Sequence, residues 1–277
     1  MDKKKILVVV DYQKDFVDGT LGFAGAEKLD EGITNEIKRY MDNGDIVIMT
    51  KDTHGTYAPY EATREGKALT VPHCIYQSEG WQFYEKTRDT FFEYEKVGAN
   101  TNGHLFVINK PTFGMMASDI VGALFSQFSK NDIDLSPVGC SIEEVRFVGL
   151  VTDICVLSNI AVFQGLLPEA QMVLDAKLTA SFDRVQYLKA LDIAERSWQV
   201  RVENRPHIYV AADMREIPSA GSVIVTEMKS LEDACYQVGV MTGRGLASLA
   251  FISESNLDTV SHLTIEEMAT SVVYYIH

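Results

Sequence analysis

Five residues of this chain carry side chains able to do hydrolytic chemistry and fall at matching places along it: Asp11, Asp52, His54, Lys110 and Cys155. A thiol becomes a good nucleophile when a nearby cation and a helix N-terminus lower its pKa. Cys155 reads as the start of a helix, and Lys110 supplies the cation. Asp11 is suited to take the thiol proton and hand it later to a leaving amine. Backbone amides at Val151 and Cys155 are candidates to receive a developing oxyanion. Asp52 and His54, joined by His73, offer one carboxylate and two imidazoles. That donor set suits a divalent transition metal, zinc first, with iron or manganese as the alternatives. Taken singly, each residue has an ordinary explanation. Asp11 reads as a turn former or cap, Lys110 as a solvated loop lysine, Cys155 as a small buried apolar residue, and the histidines as hydrogen-bonded pocket lining.

The case rests on where the elements would deliver them. Residues 6–10 (ILVVV) form a continuous β-branched run, as expected for a strand buried on both faces. Further strands are expected at 45–50, 104–109, 144–150 and 170–175. Helices are expected at 27–43, about 118–129, about 154–166 and 183–197. Residues 53–103 show weak periodicity and read as one long functional loop. Strands alternating with helices imply parallel pairing by right-handed crossovers, hence an α/β fold of three αβα layers around a mostly parallel sheet. Ligands of such sheets bind beyond the carboxyl ends of the strands. The first four strands lead to Asp11, to Asp52 and His54, to Lys110, and to Cys155. All these groups are therefore expected at one edge.

The pattern breaks at residues 204–206 (NRP). Two units are expected: a main domain over 1–203 and a small α+β extension over 204–277. The extension reads as strands at 207–211, 222–226 and 246–252, a helix at 230–242, and a further helix from Thr264 before a terminal apolar VVYYI. It carries no catalytic motif.

A formal charge of −14 over 277 residues makes nucleic acid and anionic membranes poor partners. No apolar run approaches the ~20 residues of a membrane span, and the short run after the first lysines is no signal peptide. A cytoplasmic location is expected. The four cysteines (Cys74, Cys140, Cys155 and Cys235) show no paired spacing and are expected as thiols.

Five segments, in order, also carry a resemblance: VVVDYQKDFVDG (8–19), KDTH (51–54), VPHC (71–74), INKPTFG (108–114) and GLVTDICVLSNI (149–160). Over roughly residues 4–203 the sequence resembles the isochorismatase-like hydrolase superfamily, in its cysteine-hydrolase and nicotinamidase branch. The resemblance implies that Asp11, Lys110 and Cys155 are a catalytic triad. It implies a cis peptide before Val151 that aims the Val151 amide into the oxyanion hole. It also implies a metal at Asp52, His54 and His73 that the substrate's pyridine nitrogen meets. Phe16 matches the family's aromatic after the first aspartate, and Trp81 and Phe113 are further candidates for substrate stacking. Two positions depart from the pattern: Tyr60 stands where some nicotinamidases have a histidine, and Thr70 where some have a tryptophan.

The implied function is hydrolysis of a small amide through a thioester, in a homo-oligomer. The alternatives are a metal-free type of carbamoyl or ureido amidohydrolase and a non-catalytic binding or scaffold protein. Isochorismatase activity itself is disfavoured, because those enzymes lack the cysteine.

Overall fold

The computed structural model describes residues 3–97, 104–127 and 141–205, with four two-residue strands beyond them. The β-branched runs form the expected strands. β1 (Lys4–Val10), β2 (Ile46–Asp52), β3 (His104–Lys110), β4 (Ile142–Leu150), β5 (Gln171–Ala180) and β6 (Arg201–Glu203) make one sheet in the order β3-β2-β1-β4-β5-β6. Every pairing in it is parallel. The central strands are dry: Ile6 to Val10 and Ile46 to Met49 have no exposed surface.

Alternation along the strands divides the core. Ile6, Val8, Val10, Ile46 and Ile48 pack under α5 (Ala117–Gln127), α6 (Leu157–Leu166) and α7 (Arg184–Asp192). Leu7, Val9, Val47 and Met49 pack under α2 (Asp30–Asp42) and α4 (Glu85–Val97). Among the described residues two shorter helices complete the set, α1 (Lys14–Val17) and α3 (Arg64–Ala68). The strand order reverses between β1 and β4, which opens a crevice beyond their carboxyl ends.

The structure adds β6 to the expected strands and corrects the expected elements in four places. The helix expected over 27–43 is a 3₁₀ turn, Ala26–Leu29, leading into α2. The helices expected at 154–166 and 183–197 contain wider π turns, Thr152–Val156 before α6 and Ile193–Ser197 after α7. The excursion after residue 53 is not all loop, since it contains α3 and α4. The inward face of α4 carries Thr87, Thr90, Phe91 and Tyr94, at helical spacing but with threonines where aliphatic residues would have marked the period. Asp30 compensates. Its carboxylate accepts from the Lys86 and Thr87 amides (2.9 and 3.0 Å) and from the Thr87 hydroxyl (2.8 Å), capping α4 from α2.

Beyond residue 205, Tyr209–Val210 pairs antiparallel with Thr226–Glu227, and Leu249–Ala250 pairs parallel with Val273–Tyr274. The helices expected at 230–242 and from Thr264 lie outside the described residues, as do Cys140 and Cys235. Among the described residues no helix is long and apolar enough to cross a membrane.

Candidate active site and metal centre

The crevice is made by backbone that leaves the sheet. β1 stops at Val10, and Asp11 takes a left-handed φ of 45° that turns the chain out of the strand. Gly149 (φ 106°) lies beside Val10. A Cβ there would stand 2.1 Å from the Val10 carbonyl oxygen, so only glycine lets β4 approach β1 this closely. The next peptide, Leu150–Val151, is cis, as the resemblance implies. Cys155 then lies within the π turn Thr152–Val156, buried.

Lys110 ends β3 and is 1% exposed. Its ammonium stands 2.6 Å from Asp11 Oδ2, 3.7 Å from Cys155 Sγ and 3.9 Å from Asp52 Oδ1, and donates to the Thr112 carbonyl at 3.0 Å. Asp11 Oδ1 accepts from the Thr50 hydroxyl at 2.7 Å, while Thr50 Oγ1 accepts from the Asp11 amide at 3.0 Å. The three residues expected at one edge therefore meet in one dry cluster.

Their electrostatics reverse one expectation. Burial drives the Cys155 thiol well above its usual pKa, and the Lys110 charge only partly offsets it. The resting thiol is therefore protonated rather than pre-ionised. Burial also raises Asp11, against the pull of Lys110 and with the help of the Asp52 charge. A carboxylate raised in this way is a stronger base toward a neighbouring thiol. Burial alone would neutralise Lys110, but the carboxylates of Asp11, the larger cause, and Asp52 hold it charged.

Beside this cluster lies a second one. His54 follows β2, and its amide donates to the Cys74 carbonyl at 3.0 Å, while the Tyr76 amide donates to the His54 carbonyl at 2.9 Å. This short ladder brings His73 to His54. Asp15 fastens the same loop by accepting from the Cys74 amide at 2.7 Å, and its other oxygen accepts from the Thr20 amide at 3.2 Å. Asp52 Oδ2 stands 3.0 Å from His54 Nε2 and 3.2 Å from His73 Nε2, and Glu65 Oε1 stands 3.6 and 3.5 Å from the same two nitrogens. One donor atom from each of Asp52, His54, Glu65 and His73 lies within 4.8 Å of all the others. Donors about 2.1 Å from a tetrahedral ion would stand about 3.4 Å apart, close to the four distances of 3.0, 3.2, 3.5 and 3.6 Å.

The chemistry of the set fits as well. The Val71 carbonyl can only accept, so His73 Nδ1 donates to it at 2.9 Å and leaves Nε2 for the cluster. Burial opposes a charge on His73, yet the hydrogen bonds to Asp52 and Glu65 outweigh it and push the imidazole up to about 10. Burial would raise Asp52, but Lys110 and the two histidines hold it well below the usual carboxylate range. The carboxylates thus draw positive charge into this pocket, as a divalent ion would also supply.

Of the aromatic candidates, Phe16 is buried with its ring 5.5 Å from that of His73. Phe113 is 45% exposed, on the loop after Lys110. The Trp81 indole N–H donates to Thr53 Oγ1 at 2.8 Å, and the Lys51 ammonium lies 3.6 Å from its ring centre. Tyr60 packs edge-on against both imidazoles, at 4.9 and 5.2 Å.

Sequence reasoning gave no role to Gln13, Asp15, Thr50 or Asn159. Asn159 accepts from the Met115 amide (2.8 Å) and donates to the Cys155 carbonyl (2.8 Å), tying the loop after Lys110 to the Cys155 turn. Polar residues inside an apolar helix face and beside strand ends were the available signal.

Residues 5–200 match the family model for the isochorismatase domain. The isochorismatase family protein PncA of Bacillus subtilis is 30% identical over 158 residues, covering 56% of this chain and 75% of the relative. The crystal structure of the nicotinamidase PncA from Bacillus subtilis superposes with a TM-score of 0.57 at 26% identity, over 72% of this chain and 98% of that one. The pyrazinamidase of Pyrococcus horikoshii, solved in complex with zinc, superposes with a TM-score of 0.51 at 16% identity, over 72% and 98%.

Proposed function

The chain belongs to the isochorismatase family, and from that premise we propose that it hydrolyses a small, nicotinamide-like aromatic amide through a thioester on Cys155. The observation that carries this reading is the buried Asp11–Lys110–Cys155 cluster, with Lys110 at 2.6 Å from the carboxylate and 3.7 Å from the sulfur.

The raised Asp11 and the protonated thiol support a sequence that begins with proton transfer. Cys155 Sγ attacks the amide carbon while its proton passes to Asp11. The carbonyl oxygen becomes an oxyanion held by the Val151 and Cys155 amides. Asp11 returns the proton to the leaving nitrogen, the C–N bond breaks, and ammonia departs. Asp11 then takes a proton from water as its oxygen attacks the thioester, and the thiolate is reprotonated as the acid leaves. Lys110 stays charged throughout and offsets the negative charge that moves between Asp11 and Cys155.

Asp52, His54, Glu65 and His73 would hold a divalent ion, zinc by donor type. When bound, such an ion supplies a Lewis-acid contact that orients and polarises the substrate. Phe16 and Phe113 are the proposed walls for an aromatic ring.

Ammonia release tests the reading. Nicotinamide and pyrazinamide should be cleaved by the zinc-loaded protein and small carbamoyl compounds much more slowly. Exclusive cleavage of carbamoyl compounds would replace the aromatic assignment, and no release from any of them would remove the amidase reading.

A further inference from the structure

Asp52 serves both clusters at once. Its Oδ1 faces Lys110 at 3.9 Å and its Oδ2 faces His54 and His73 at 3.0 and 3.2 Å. A carboxylate with two such duties has to be held from outside, and the sheet holds it on one side only. β3 pairs with β2 through Asp52, whereas β1 pairs with β2 only as far as Val9 opposite Met49. The chain then turns away at Asp11, leaving the β1 side of residues 50–52 without a strand.

Side chains replace that strand. Thr50 Oγ1 bonds the Asp11 amide, and Gln13 completes the substitution. Gln13 is fully buried. Its Oε1 accepts from the Asp52 amide at 2.7 Å, and its Nε2 donates to the Asp52 carbonyl at 3.0 Å and to the Trp81 carbonyl at 3.0 Å. The amide thus grips both backbone groups of Asp52, as a neighbouring strand would. It also ties Asp52 to the segment that follows the His73 loop. Gln13 itself is fixed by backbone bonds, from Gln13 N–H to the Asp11 carbonyl at 2.7 Å and from Lys14 N–H to the Gln82 carbonyl at 2.9 Å.

We infer that Gln13 is a positioning residue: its side-chain amide fixes the Asp52 backbone and so sets the aim of the Asp52 carboxylate into the metal set and toward Lys110. This rests on the metal reading above. Partners that orient ligands typically contribute about 10- to 100-fold to metal affinity.

The test is the zinc dissociation constant of the purified full chain, measured by competition with a chromophoric chelator in the absence of substrate. Gln13→Met keeps the volume and loses all three bonds. Gln13→Glu keeps the acceptor for the Asp52 amide and loses both donated bonds. Both should retain the native far-UV spectrum and bind zinc about 10- to 100-fold more weakly, Gln13→Met the more so. With nicotinamide at saturating zinc, KM should rise more than kcat falls. Wild-type affinity and an unchanged KM in a folded variant would overturn the positioning role. Failure of both variants to fold would overturn it too, by making Gln13 a folding element. A wild-type chain that binds no zinc would instead refute the metal reading.

Discussion

The two halves of the site are built differently. Asp11 follows β1, Lys110 ends β3 and Cys155 lies just beyond β4, so the parallel sheet itself places them. His54, Glu65 and His73 lie on an excursion between β2 and α4, and side-chain-to-backbone bonds from Asp15 and Gln13 hold their surroundings. A core-positioned group fails mainly through its own chemistry. A loop-positioned group also fails through the bonds that hold the loop.

The largest effect expected on the core half is from Cys155→Ala, which should abolish ammonia release while the fold stays intact by circular dichroism. Cys74→Ala should spare the chemical step. Next come Asp11→Asn and Lys110→Met, each lowering kcat by about 100- to 10,000-fold. The double variant should be no more than a few-fold slower than the worse single one, because the residues act as a unit. The same pair sets the acid limb. Asp11 must be ionised to accept the thiol proton, and burial raises it above the usual carboxylate value. kcat/KM measured against pH should therefore fall with acid at a midpoint above the ordinary aspartate range.

On the loop half, His54→Ala should remove zinc, measured by elemental analysis, and raise KM more than it lowers kcat. Retained zinc with a collapsed kcat would erase the distinction between the halves. The smallest effect is expected from Asp30→Ala, which takes the cap from α4. Loss of such a cap destabilises by about 0.5–2 kcal/mol. A thermal melt should show it, with kcat unchanged at a temperature where the protein remains folded.

The same contrast explains what the sequence disclosed. Continuous β-branched runs such as residues 6–10 announce buried parallel strands, and the residue after each run then falls at the crevice. That logic reaches Asp11, Asp52, Lys110 and the Cys155 turn from the sequence alone. It did not reach α4, whose buried face uses Thr87 and Thr90, or the π turns, which share the apolar period of α helices. Nor did it reach Glu65 as a fourth donor, because that depends on how α3 folds back over His54. Gln13 and Asp15 were invisible for a related reason. Their roles are bonds to backbone far along the chain, at Asp52 and Cys74, which no local pattern encodes. The lowered thiol pKa expected for Cys155 failed because burial, a tertiary property, outweighs the lysine beside it.

The central claim is a thioester on Cys155, and partitioning with hydroxylamine tests it most directly. Nicotinamide and methyl nicotinate would pass through the same acyl-enzyme despite their different leaving groups. At a fixed hydroxylamine concentration both should give the same ratio of nicotinohydroxamic acid to nicotinic acid, and Cys155→Ala should form neither product. Ratios that differ between the two substrates, or hydroxamate formed by the Cys155→Ala protein, would contradict the account.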